Sequence, residues 1–174
     1  SDYIYVANRN KLITLDKELR QVPTRNWKLD QNTHQIAKHE GNLLATCARK
    51  DAVKVFGTDR YFISPSRGVI KHAATMSHAD EQHHINSVTV FNGYAYYMMN
   101  NRAKAKSVVS KFNLGTREEE NRIVMDAMQA HNIMVSDNTV RTLDTGASLC
   151  VVGSDGSKIQ TGATESCWLR GFAG

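Results

Sequence analysis

Three observations predict an all-β chain folded as a ring of four small sheets, a four-bladed β-propeller. Short runs of β-branched and aromatic residues alternate with Gly, Asn and Asp turns along most of the chain. A triplet leading into a hairpin recurs about every 40–50 residues, as His34-Gln35-Ile36, Asn86-Ser87-Val88 and His131-Asn132-Ile133. Arg170-Gly171-Phe172-Ala173-Gly174 repeats the start of that pattern, and its continuation is Ser1-Asp2-Tyr3-Ile4-Tyr5-Val6. The chain thus reads as one domain over 1–174, in blade units of about 170–174 joined to 1–30, then 31–82, 83–129 and 130–169. Pairing the C-terminal inner strand with the N-terminal strands closes the ring and removes exposed sheet edges. The other reading is a piece of a longer propeller, with 170–174 opening a further unit.

In the first unit, Tyr3-Ile4-Tyr5-Val6 and Leu12-Ile13-Thr14-Leu15 are strands around an Asn- and Lys-rich turn. Leu19-Arg20-Gln21-Val22 is a third, stopped by Pro23. The second unit holds Leu43-Leu44-Ala45-Thr46, the alternating Ala52-Val53-Lys54-Val55-Phe56, and Tyr61-Phe62-Ile63. The polar stretch 64–82 reads as an excursion between blades. The third unit has the strongest hairpin signal, Asn92-Gly93 between two β-rich runs, followed by Val108-Val109-Ser110-Lys111-Phe112. Glu118, Glu119 and Glu120 are expected in a solvated turn over 116–121. The best helical candidate is 118–130, on the spacing of Ile123, Val124, Ala127 and Met128. The fourth unit pairs Ile133-Met134-Val135 with Val140-Arg141-Thr142-Leu143, then Ser148-Leu149-Cys150-Val151-Val152 and the turn Gly153-Ser154-Asp155-Gly156. Trp27 and Trp168 are expected to pack between blades. The tyrosines at 94, 96 and 97 could present an aromatic strip for a protein or a sugar.

At 174 residues and 41% hydrophobic, the chain suits one turn-rich domain with a modest core. The net charge of +5 is spread as single Lys and Arg residues, which favours a solvated basic surface over a nucleic-acid interface. Cys47, Cys150 and Cys167 form no CxxC pair. Their odd number points to buried thiols in a reducing, cytoplasmic compartment. No signal peptide or membrane-length apolar run is present in these residues, so no membrane partner is expected.

His83-His84-Ile85-Asn86, the stretch 130–146 with its Ala130-His131-Asn132 start, and Arg170-Gly171-Phe172-Ala173 resemble motifs of uncharacterised bacterial propeller-repeat proteins. In those proteins the inner strand of each blade often opens with His, Asn or Arg. The resemblance implies a propeller fold and no particular activity.

In a propeller, equivalent inner-strand positions face one axis. That gathers His34, Asn86, His131 and Arg170 as candidate channel-lining, ligand-binding residues, with His84 two residues before Asn86. Three readings are open. The side chains can simply satisfy one another and channel water. Arg170 can fork a small anionic ligand while the others donate hydrogen bonds. Or His34, His84 and His131 can hold a divalent metal, against which the Arg170 cation argues. His72, His78, His83 and His84 read as loop residues, with a metal cluster of His78-Ala79-Asp80 and His83-His84 as the other reading, and His39 as exposed. No GxSxG, HExxH, Walker A or GxGxxG pattern occurs. The one Asp144-Thr145-Gly146 triplet lacks the second carboxylate that aspartic-protease chemistry needs. The expected function is a binding or structural module, open to a protein partner, to self-association or to a larger assembly. The alternative is a metal-dependent lyase or hydrolase at the channel mouth.

Overall fold

The computed structural model describes residues 3–8, 10–23, 27–29, 32–57, 60–71, 82–145 and 150–160. Its strands form four antiparallel sheets, each a meander of sequence neighbours. Blade 1 holds β1 (Ile4–Asn8), β2 (Lys11–Leu15) and β3 (Trp27–Lys28). Blade 2 holds β4 (Ile36–His39), β5 (Asn42–Cys47), β6 (Ala52–Phe56), β7 (Tyr61–Ser64) and β8 (Gly68–Ile70). Blade 3 holds β9 (Ile85–Phe91), β10 (Tyr94–Met99), β11 (Val108–Asn113) and β12 (Glu118–Val124). Blade 4 holds β13 (Ala130–Ser136), β14 (Thr139–Asp144), β15 (Cys150–Gly153) and β16 (Lys158–Gln160). This is the four-bladed β-propeller architecture. The first strands β4, β9 and β13 lie side by side, with β9 touching both neighbours.

Turn chemistry sets the inner hairpins. Glu40-Gly41, Asn92-Gly93 and Asp137-Asn138 all take positive φ at both positions. That is the backbone a two-residue hairpin turn needs to match strand twist. Side-chain alternation then sorts the cores. In β10, Ala95, Tyr97 and Met99 pack toward blade 2 with Leu44, Val53 and Ile63. Tyr96 and Met98 pack toward blade 4 with Ala130, Ile133 and Val152. Blade 1 meets blade 2 through Leu12, Leu29, Leu43 and Phe56, and Trp27 stacks on Phe56 at 5.6 Å. Trp27 is thus an inter-blade packing residue, as expected. Cys47 and Cys150 are buried free thiols, also as expected.

Several expectations need correction. The stretch 118–130 is not helical. Glu118–Val124 is β12, paired along β11 from Val108↔Val124 to Asn113↔Glu118. The acidic residues are accommodated because β12 is an outer strand whose carboxylates find partners on β11. Ser110 Oγ donates to Glu119 at 2.6 Å, and Lys111 Nζ donates to Glu120 at 3.0 Å. The third strand of blade 1 is β3, and the 19–22 stretch makes only the bridge Leu15↔Gln21. Part of the 64–82 excursion belongs to blade 2, since β8 pairs with β7. The tyrosines form no open strip, because Tyr96 and Tyr97 are buried in the two inter-blade cores. His39 is mostly covered and lies 3.6 Å from Glu40. Residues 170–174, the expected closing strand with Arg170, lie outside the described residues, as do Cys167, Trp168, His72, His78, Asp80 and Gly146.

Candidate functional site

Strand register tests the repeat directly. Ile36 pairs with Ala45, Val88 with Tyr97 and Ile133 with Thr142, each partner the fourth residue of its return strand. His34, Asn86 and His131 therefore hold equivalent positions two residues earlier. The ladder shifts register between Met98 and Met99 in blade 3, and between His131 and Ile133 in blade 4. Such bulges re-aim side chains at strand ends.

The three positions differ in exposure. His34 is exposed, whereas Asn86 and His131 are 2% and 8% exposed. Asn86 Nδ2 donates to Ala130 O at 3.0 Å, and Asn100 Nδ2 donates to the same carbonyl at 3.0 Å. Ser107 Oγ accepts from Ala130 N at 3.0 Å, so the first peptide groups of β13 are held from blade 3. His131 Nδ1 lies 3.0 Å from Gln129 O and 2.9 Å from Thr145 Oγ1. A carbonyl can only accept, so a hydrogen bond to Gln129 O is one that Nδ1–H donates.

The next position along braces blade to blade. Gln35 Oε1 accepts from Val88 N at 3.2 Å, and Ser87 Oγ accepts from Asn132 N at 2.7 Å. Two atoms of this network are buried without a partner among the described residues, Asn86 Oδ1 and Asn132 Nδ2. One is an acceptor and the other a donor, and each carries the cost of an unmade hydrogen bond.

His34 and His84 come together across blades 2 and 3, their rings 5.2 Å apart and edge to face. His84 takes a positive φ of 51°, an unusual backbone for a non-glycine residue. The segment is pinned by Asp51, whose carboxylate accepts from the amides of Gln82, His83 and His84, the last two at 2.8 Å. Burial pushes the Asp51 carboxyl above its ordinary pKa, while those three amides pull against the rise. Sequence reasoning missed Asp51. It follows Ala48-Arg49-Lys50 in a short loop, and no local pattern marks it as the anchor of residues 31–33 positions away. Among the described residues no three His, Cys, Asp or Glu side chains gather as a metal-binding set. On the opposite rim a cavity of about 450 Å³ separates blades 2 and 3, where the Arg117 guanidinium lies 4.8 Å from the Tyr61 ring.

No protein-family model matches the chain, and no curated protein matches it. Solved structures do. Kuenenia stuttgartiensis hydrazine synthase is similar with a TM-score of 0.65 at 11% identity, over 91% of this chain and 45% of that one. The RRP9 WD40 repeats give 0.63 at 10% identity, over 91% and 47%. Virginiamycin B lyase from Staphylococcus aureus gives 0.60 at 10% identity, over 94% and 54%. The chain spans about half the length of these structures. At such identities the likeness establishes the fold.

Proposed function

We propose that this propeller is a binding module, a part of a larger assembly, whose inner-strand mouth takes a small polar anion. The observation that carries the reading is the gathering of His34 and His84, their rings 5.2 Å apart across blades 2 and 3, two residues from the buried Asn86, whose Oδ1 has no partner among the described residues. A guest that carries a hydroxyl beside its acidic oxygens would satisfy Asn86 Oδ1 while accepting from the imidazoles. His34 and His84 supply further donors at the same end of the inner strands, and Arg170 would add the cation that forks a carboxylate or phosphate. The WD40 folds among the similar structures are compatible with a scaffold role. The test is calorimetric titration with malate and with inorganic phosphate. Saturable binding that weakens about tenfold in His34→Ala supports the reading, since one charge-assisted hydrogen bond is worth about that much. No binding of either probe, or binding indifferent to His34, would sink it.

The enzyme reading, a metal-dependent lyase or hydrolase using His34, His84 and His131, rests on the closeness of His34 to His84 and on the equivalent inner-strand position of His131. The lack of a three-residue ligand set among the described residues weighs against it. Zinc titration separates the two: one tightly bound ion lost in His131→Ala would favour the metal.

A further inference from the structure

The loop between β10 and β11 holds three consecutive non-glycine residues in the left-handed region, Asn101 (φ 57°), Arg102 (51°) and Ala103 (58°). Elsewhere among the described residues such conformations occur singly or as the pair of a hairpin turn. L-residues resist this backbone by about 1–2 kcal/mol each, so surrounding bonds must hold it. Asn100 Oδ1 accepts from Arg102 N at 3.1 Å, and Asn101 Nδ2 donates to Lys106 O at 2.7 Å. Asn101 N donates to His83 O at 2.8 Å, which ties the loop to the segment that Asp51 anchors. The turn sets the side chain of Asn101 3.3 Å from His83 Nδ1, while His83 Nε2 lies 3.4 Å from Ser66 Oγ. It also carries Lys104 to the edge of a cleft.

That cleft has a volume of about 430 Å³. Met99, Val108 and Val124 form an apolar wall, and Val124 is 64% exposed although it is a large aliphatic side chain. His83, Lys104 and Arg122 supply the polar rim, and no carboxylate is among the described lining residues. Arg122 is already engaged, donating to both Glu119 oxygens and to Pro65 O. Lys104 has no ion pair among the described residues. A loop that sets a lysine without an ion pair among the described residues beside an apolar wall suits a ligand with two ends.

We propose that this cleft binds an amphiphilic anion, with a phosphate or carboxylate headgroup at Lys104 and a short apolar body against Met99, Val108 and Val124. The site is separate from the inner-strand mouth and does not rest on the function proposed there. It is tested by calorimetry with hexyl phosphate, hexanoate, hexanol and inorganic phosphate. Either anion with a hexyl chain should bind saturably, and whichever binds tighter identifies the headgroup. Affinity should fall about tenfold in Lys104→Ala, the loss of one charge-assisted contact, and comparably in Val124→Asp. Hexanol and inorganic phosphate should each bind at least about tenfold more weakly, because each keeps only one end of the ligand. His34→Ala should leave this binding unchanged. Both substituted cleft residues are exposed, and far-UV circular dichroism confirms that the variants fold. The proposal is overturned if neither hexyl anion binds, if Lys104→Ala binds equally well, or if hexanol matches the anions.

Discussion

Asp51 is a small side chain with a long reach: one carboxylate holds three consecutive amides of the crossover into blade 3. Removing it in Asp51→Ala would leave those donors without their acceptor in a half-buried place, at about 2–3 kcal/mol of stability. Asp51→Asn keeps one acceptor oxygen and tolerates the left-handed backbone (φ 45°), so its loss should be clearly smaller. Urea unfolding of the two variants checks this, and equal losses would contradict the hydrogen-bond account. Ala103 gives a test of opposite sign. At φ 58° it bears left-handed strain without any side-chain hydrogen bond in return. Ala103→Gly should therefore stabilise the chain by about 0.5–1 kcal/mol, after the greater freedom glycine gives the unfolded chain is set against the relief. A destabilised Ala103→Gly would mean that the methyl group packs usefully and that the loop is not strained there.

At the scale of elements, the outer strands are tied by charge where the inner ones are tied by buried amides. On β12, burial works upward on the Glu119 carboxyl, but Arg122 and Ser110 outweigh it and hold it below the usual range. The turn from β12 to β13 carries Asp126, which Lys106 of blade 3 and Lys158 of β16 both contact. Hydrogen bonds from those two ammonium groups bring its pKa down to about 2 from 3.8. A carboxyl whose folded pKa is depressed adds stability that is fully present above its unfolded pKa and is lost as pH falls through the folded value. The thermal midpoint of the wild type should thus exceed that of Asp126→Asn at pH 5–7. The gap should close between about pH 4 and 2, and high salt should narrow it at every pH because the group is exposed. A gap that survives at pH 2 would show that the carboxylate charge is not its source. These pairings explain why β12 was hard to read in sequence. Three successive glutamates look like a solvated turn until β11 is seen to place Ser110, Lys111 and Asn113 opposite them.

At the scale of the whole molecule, the repeat was legible and its chemistry was only partly so. Hairpin turns and β-rich runs located the inner strands of blades 2 to 4, and register places His34, Asn86 and His131 as equivalents. What sequence could not show is that Asn86 and His131 are buried and bonded to neighbouring backbone, because burial depends on which blade covers them. The bonding runs one way along the chain. Gln35 of blade 2 reaches Val88 of blade 3, and Ser87 of blade 3 reaches Asn132 of blade 4. Asn132 is the next hand in that series, and its Nδ2 is buried without a partner among the described residues. Blade 1 shows the matching deficit. It has three strands, its inner-edge strand β1 pairs only with β2 among the described residues, and Ile4 and Val6 are 45% and 39% exposed. By register these two share a face with Leu15 and Ile13, turned away from blade 2, whose side is taken by Leu12. If residues 170–174 supply an inner strand between blade 4 and blade 1, Asn132 should donate to it. Deleting 168–174 should then lower the thermal midpoint by roughly 5–10 °C, a loss of a few kcal/mol in a chain of this size. Asn132→Ala should cost about 1 kcal/mol in the full chain and almost nothing in the truncated one, because its partner is gone. The double-mutant cycle isolates that contact. An Asn132→Ala cost that is the same in both backgrounds would mean the closing strand does not reach blade 4, and that another partner meets Asn132.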